Sequence, residues 1–392
     1  MFFSVNKTPQ HNFSTNLNYH GWCIDTDQGW NVIKHDDRAL IYKGYLDDGD
    51  LHNEITVIAD EATGIRSGNF CLLIVEVNSV RVQHSALRSF PLWYSAAQGI
   101  TNLRPLDYQV WADSEFTLLA NLEFQETKLS ILGDTSVHSR SRRDVVDAVD
   151  QILVDRFTAF IKHNQLPIKI FISGGIDTVL MYSYLRRLNI PHELILGEHM
   201  EFDQFWVRNH QTLGERYWSY TQLHHWRQPT VLVSGCPGDE FSLRNPIMSN
   251  LLTLHHECTV AELLDWNQNV DYLHRDYFND TNTRAQFEEY RTDPAMQAIY
   301  KDRLVLQKYL LDRAANDHQH WHLSNTLTFT PMRDLEILRL CLSLPWIDQV
   351  DQILDSGISR ELIQRNDPDL SKLLSPEKNK NNYLKNLDCL IV

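Results

Sequence analysis

Residues 166–196 constrain the fold more than any other stretch of the chain. LPIKIFI (166–172) is an isoleucine-rich run bounded by Pro167 and by Ser173-Gly174-Gly175; DTVLMYSYLRRL (177–188) has helical character, and HELIL (192–196) is a second short apolar run. A strand, a helix and a strand in so short a length predict a βαβ unit, because parallel neighbours need a crossover and the helix supplies it. TVLVSG (230–235) adds a third strand to the same sheet. Upstream, Val145, Val149, Ile152, Leu153, Phe157, Phe160 and Ile161 recur at helical spacing with Asp and Arg on the opposite face. From about residue 250 to 365 the pattern is mainly helical, as in TVAELLDWNQNVDYL, RLVLQKYLLDRA and LEILRLCLSL.

The first 135 residues read differently. ALIYKGYL (39–46), FCLLIVEV (70–77), SVRVQHSAL (79–87) and FTLLANLEF (116–124) are short apolar or alternating runs, separated by turn-forming DDGD (47–50) and TGIRSGN (63–69). SVHSRSRRD (136–144) is polar and basic and predicts a linker entering a helix. The expected division is therefore a β-rich domain over 1–135 and an α/β domain over 140–392.

Composition removes several classes of function. Lys and Arg total 36 against 51 Asp and Glu, a net charge of −15, which argues against nucleic acid as a partner. Cys23, Cys71, Cys236, Cys258, Cys341 and Cys389 contain no C-x-x-C pair, so neither disulfide stapling nor a zinc ribbon is expected and a reducing cytoplasm fits. No apolar run reaches membrane-spanning length, and MFFSVNKTPQHN lacks the order of a signal peptide, so no membrane partner is expected. The paired histidines His224-His225 and His255-His256 and the stretch HQHWH (318–322) lack a metal-binding spacing, and Trp206, Trp218 and Trp226 read as core.

The sharpest chemical signal is Ser173-Gly174-Gly175-Ile176-Asp177-Thr178, between a strand and a helix. Two glycines leave consecutive backbone N–H groups bare at the positive end of a helix, where they can close on phosphate oxygens. Ser173 and Thr178 add hydroxyl donors. Asp177 would repel phosphate unless it holds Mg²⁺ bridging the phosphates. A plain strand-to-helix turn with Asp177 as a cap is the alternative, and the strand–loop–helix context favours phosphate. A second bare turn with paired carboxylates, Ser234-Gly235-Cys236-Pro237-Gly238-Asp239-Glu240, ends the third strand. A parallel sheet would bring it beside the first, so that Asp177 and Asp239 could share one magnesium.

These two segments resemble the Ser-Gly-Gly-x-Asp-Ser/Thr loop of the ATP pyrophosphatase superfamily and the Ser-Gly-Glu-Gly-x-Asp-Glu segment of asparagine synthetase. Phe329-Thr330-Pro331-Met332-Arg333-Asp334, with the helix ending Leu342-Ser343-Leu344-Pro345, resembles that family's Arg-x-Pro-Phe-Leu-Asp segment. Gly68-Asn69-Phe70 through Phe90-Pro91-Leu92-Trp93-Tyr94 is similar to a class II glutaminase domain. The resemblance implies an α/β and α+β fold in two domains: an N-terminal β-sandwich of the Ntn glutaminase type, and a C-terminal parallel-sheet ATP pyrophosphatase domain (adenine nucleotide α-hydrolase-like) with a helical region. It implies ATP and Mg²⁺ as cofactors. Ile172, Ser173, Gly174, Gly175, Ile176, Asp177, Thr178, Leu196, Ser234 and Gly235 would bind ATP and pyrophosphate, with Asp177 and Asp239 on the metal. Lys378, with Lys380 competing, would sit at the departing pyrophosphate.

The sequence also departs from that pattern. Residue 2 is Phe2 where class II glutaminases use a cysteine nucleophile, so glutamine hydrolysis is not expected, and the usual Arg-Asp before the Pro-Leu turn is replaced near His84-Ser85. Cys236 stands where the synthetase has Glu and cyclising relatives have Tyr. It could act as thiolate base or acyl acceptor, or simply fill space as a small apolar side chain. Leu327 and Phe329 occupy the positions of a Glu and an Arg in the relatives. The expectation is an AMP-forming ligase that adenylates a small-molecule or peptide carboxylate and passes it to an amine, with a homodimer as the oligomeric option. Two alternatives stay open: a catalytically reduced nucleotide-binding scaffold, and an adenylating enzyme whose acceptor is a thiol or nucleobase.

Overall fold

The computed structural model describes residues 3–7, 15–61, 66–86, 88, 90, 92–102, 106–110, 114–128, 140–172, 176–196, 229–235, 238–243, 326–345, 348, 352 and 356–373. Its first half holds two antiparallel sheets. One contains β1 (Phe3–Asn6), β2 (Thr15–Tyr19), β3 (Trp22–Thr26), β8 (Trp93–Ser95), β9 (Gly99–Thr101) and β10 (Tyr108–Gln109), in the order β10-β8-β9-β1-β3-β2. The other contains β4 (Asn31–Lys34), β5 (Arg38–Leu46), β6 (Gly68–Glu76), β7 (Ser79–His84), β11 (Ser114–Leu119) and β12 (Phe124–Lys128), in the order β12-β11-β7-β6-β5-β4.

The second sheet is covered on both faces, which explains why β6 is apolar throughout instead of alternating. Cys71, Leu73 and Val75 point into the space between the sheets with Phe3, Trp22, Phe90 and Phe116. Phe70, Leu72 and Ile74 point the other way, onto helix α1 (Leu51–Asp60). The α1 face is Leu51, Ile55, Ile58 and Ala59, and Asp50 caps its start by accepting a hydrogen bond from the His52 N–H at 3.0 Å.

Two expectations need correction here. FTLLANLEF is not one strand: β11 and β12 form a hairpin, and the chain reverses through Leu122, whose φ is +66°. The Asn121 side chain accepts from the Glu123 N–H at 3.1 Å, a local bond that favours the turn over a continued strand. Within the stretch expected to be mainly helical, Thr326–Phe329 is a strand, β16. Its Thr-Leu-Thr-Phe alternation suits an extended backbone, and the neighbouring strand supplies the ladder.

The second half holds a parallel sheet of β13 (Ile168–Ile172), β14 (Glu193–Leu196), β15 (Thr230–Val233) and β16, in the order β14-β13-β15-β16. Around it lie α2 (Arg142–His163), α3 (Ile176–Arg187), α4 (Gly238–Phe241), α5 (Leu335–Leu342), α6 (Gly357–Asn366) and α7 (Pro368–Leu373). Helix α2 begins where Ser141 Oγ accepts from the Asp144 N–H, and its Val145, Val149, Leu153, Phe157 and Phe160 are buried against the sheet core. Tyr45 of β5 belongs to that same core, edge-on to Phe160 and Phe329 at 5.1 and 5.4 Å between ring centroids. Its hydroxyl accepts from the Thr330 N–H at 3.0 Å. Among the described residues no helix is long and apolar enough to cross a membrane.

Candidate functional site

The strand order places a site before any side chain is considered. From β13 the chain passes to β14 on one side, then returns to β15 on the other. Connections leaving the carboxyl ends of β13 and β15 therefore diverge, and in parallel sheets ligands bind in the crevice opened at such a reversal. The connection after β13 is Ser173-Gly174-Gly175, and that after β15 begins Ser234-Gly235. The two segments singled out by sequence thus leave adjacent parallel strands at the same end.

Contact geometry shows how closely they meet. Asp177 lies in the first turn of α3, half-buried. A Cβ added to Gly235 would lie 2.5 Å from the Asp177 carbonyl oxygen and 2.7 Å from its Cβ, so only a bare backbone fits there. A Cβ on Gly238 would lie 3.3 Å from Asp177 Oδ1 and 3.5 Å from the Met332 Cβ. The turn between these glycines is closed by a Gly238 N–H to Gly235 carbonyl bond of 2.6 Å, and the Ser234 N–H is tied to the Phe329 carbonyl at 2.9 Å. Asp239 follows Gly238 in α4, one residue beyond the point that faces the Asp177 carboxylate. Among the described residues no cluster of three or more His, Cys, Asp or Glu is placed to hold a metal ion, and Asp177 is the carboxylate seated against this turn.

A third turn, after β16, completes this end of the sheet. Asp334 caps α5 by accepting from the Glu336 N–H at 2.7 Å and also binds Arg156 of α2, with Nε and Nη2 at 3.0 and 2.9 Å. Arg156 Nε lies 3.8 Å from Asp47, a buried carboxylate that accepts from Ser67 Oγ at 2.5 Å. Burial pushes the Asp47 carboxyl up to about 6, against the pull of Ser67 and Arg156. Arg333, next to Asp334, is brought down to about 10 by burial. Asp334, which matches the family pattern in sequence, is here a helix cap and an ion-pair partner.

The predicted residues divide into three groups. Ile172 and Leu196 are paired at the carboxyl ends of β13 and β14; Ile176 is buried at the start of α3, with Thr178 two residues on. Asp177, Ser234 and Gly235 come together as described. Ser173, Gly174, Gly175, Cys236, Lys378 and Lys380 lie outside the described residues, as do the singled-out tryptophans and His-rich stretches. Phe329 is fully buried, stacked on Phe160 at 4.0 Å, and Leu327 packs against the same core, so neither faces the crevice. Sequence reasoning missed Tyr45, Asp47, Arg156 and Arg333. Asp47 sits in what reads as a turn and Arg156 on the polar side of a helix, so local pattern carried no signal for either.

Near the expected glutaminase motif, His84 is buried with Nδ1 and Nε2 at 2.7 and 2.8 Å from the Ser85 and Ser114 carbonyls. Burial and the nearby Arg88 push its imidazole down to about 4. Cys71 and Cys341 are buried thiols, the latter pushed up to about 12 by burial, which makes both inert apolar fillers.

No protein-family model and no curated protein sequence matches the chain. Among solved structures it is distantly similar to glutamine phosphoribosylpyrophosphate (PRPP) amidotransferase from B. subtilis, complexed with ADP and GMP. Identity is 10% and the TM-score 0.21; the match covers 57% of this chain and 63% of that one, so the chain spans less than two thirds of the relative.

Proposed function

We propose that this chain is an ATP-dependent, AMP-forming ligase of the asparagine synthetase type, in two domains, whose β-sandwich no longer hydrolyses glutamine. The observation that carries the proposal is the seating of Asp177 against Gly235 and Gly238, at the reversal of strand order between β13 and β15. The sequence puts Ser173-Gly174-Gly175 between β13 and α3, where a bare turn would take the nucleotide phosphates with the Asp177 carboxylate beside it.

Ser173 to Thr178 would bind the phosphates, and Asp177 with Asp239 would hold Mg²⁺. Bound there, the cation would neutralise charge on the departing pyrophosphate. The chain's own contribution is positioning. The Gly235–Gly238 turn packs against Asp177, and the first turn of α3 would offer backbone N–H groups to the phosphates. A cation on Lys378 or Lys380 would act on the leaving group. The substrates would be a small-molecule or peptide carboxylate and an amine. The test is release of AMP and pyrophosphate from MgATP by the purified chain across a panel of carboxylic acids and amines. Asp177→Ala is expected to abolish release, and release unchanged in that variant rejects the site.

A second reading has an observation of its own. Phe329 and Leu327 are committed to the core where the relatives carry an Arg and a Glu, which favours a nucleotide-binding scaffold without ligase chemistry. MgATP binding with no AMP formed on any acid would select it.

A further inference from the structure

A cavity of about 190 Å³ lies between the β5–β6 sheet and the start of α5. Ser67, Gly68 and Ala86 form one wall; Arg333, Asp334 and Leu335 form the other, with Arg156, Glu336 and Arg339 around them and Phe241 closing the lining. Arg333 is 8% exposed, yet none of its Nε, Nη1 and Nη2 atoms has a hydrogen-bond partner among the described residues. A guanidinium carries five N–H donors, and burying them unanswered costs several kcal/mol.

The neighbouring carboxylates are otherwise engaged. Asp334 holds Arg156 and caps α5, while Asp47 accepts from Ser67 and lies 3.8 Å from Arg156. Glu336 and Arg339 are exposed at the edge and offset each other in charge. The cavity thus meets a helix N-terminus and a buried guanidinium whose charge feels Asp47 but whose N–H groups have no acceptor among the described residues, and both favour negative charge.

We propose that this cavity is a binding site for a small organic carboxylate, anchored on the Arg333 guanidinium. The planar fork of an arginine matches a carboxylate in bidentate fashion. A cavity of this size has room for a small acid of a few carbons. Asp177 is not part of its lining, although Phe241 belongs to the α4 helix beside the nucleotide crevice, and the test uses no ATP.

The experiment measures thermal unfolding of the full chain against acetate and succinate, with chloride replacing them at constant ionic strength, and phosphate and sulfate as comparison anions. The expected result is a saturable rise in Tm with at least one carboxylate. The rise disappears in Arg333→Met, which keeps an unbranched apolar stem but not the donors, and in Ala86→Leu, which fills the cavity from the opposite wall. Arg333→Met without ligand should unfold no lower than the parent, because it removes buried N–H donors that have no acceptor among the described residues. The proposal is overturned by any of four results: no saturable shift with a carboxylate, a shift surviving in either variant, a response to phosphate or sulfate alone, or a ligand-free Arg333→Met that loses several degrees. The last would mean that Arg333 is already satisfied internally. Should Arg333→Met not fold at all, that counts as the same loss, and Ala86→Leu still reports on the cavity.

Discussion

Replacing Gly235 by alanine tests the contact on which the nucleotide site depends. The new methyl would lie 2.4 Å from the Asp177 carbonyl carbon and 2.5 Å from its oxygen, where ordinary contact begins near 3.4 Å, so the two backbones must part by 3.4 − 2.4 = 1.0 Å. Neither can yield easily. On one side Ser234 is tied to Phe329 and Gly238 to Gly235; on the other Asp177 is in the first turn of a helix whose Leu180, Met181 and Tyr184 are fully buried. Overpacking of this kind costs about 1–3 kcal/mol. Gly238→Ala is the internal control. Its methyl meets atoms at 3.3 to 3.5 Å, the nearest being the tip of the Asp177 side chain, so only a few tenths of an ångström need be yielded. Urea denaturation of the two variants and the parent should show a lowered midpoint for Gly235→Ala with unchanged slope, and little or no loss for Gly238→Ala. Gly235→Ala should also weaken MgATP binding. Equal stability of the two variants would show that the turn after β15 does not press on the start of α3, and the crevice as described would be wrong.

Two further predictions concern the buried groups around it. Asp47 titrates near 6 when folded, against about 3.8 for an unfolded aspartate. Its contribution is therefore full below that lower value and is lost as pH rises through 6, by about 3 kcal/mol. His84, pushed down to about 4, runs the opposite way: its contribution is present above the ordinary histidine value of 6.5 and is lost as pH falls toward 4. The two slopes partly cancel in the parent, so the measurement is the difference between Asp47→Asn and the parent. That difference should move in the variant's favour between pH 4 and 7, and a flat difference would contradict the burial of Asp47. Phe329→Ala should lower stability by about 3–5 kcal/mol, with Phe329→Leu much milder, because the ring is stacked on Phe160 and edge-on to Phe157. A loss under about 1 kcal/mol would place that ring outside the core.

Much of this molecule was set by local pattern. The helical spacing from Val145 to Ile161, the short runs that became β5, β6, β13, β14 and β15, and the turn at Ser234 depend on near neighbours, and near neighbours are what periodicity reports. The hairpin inside 116–124 and the strand at 326–329 were missed, although Asn121 and the β-branched alternation carried local hints. α1, with its cap at Asp50 and apolar residues at helical spacing, was equally legible and equally passed over.

Tertiary structure decided what depends on distant partners. Sequence order does not say that β13 sits between β14 and β15, and that arrangement alone brings Gly235 onto Asp177. Nor does it say that Asp334 will be occupied by Arg156 from a helix 178 residues away. Arg333 and Asp47 read as ordinary surface charges in a loop. Packing the antiparallel sheet against the start of α5 buries both, because desolvation is a property of everything that surrounds a group and not of its neighbours along the chain.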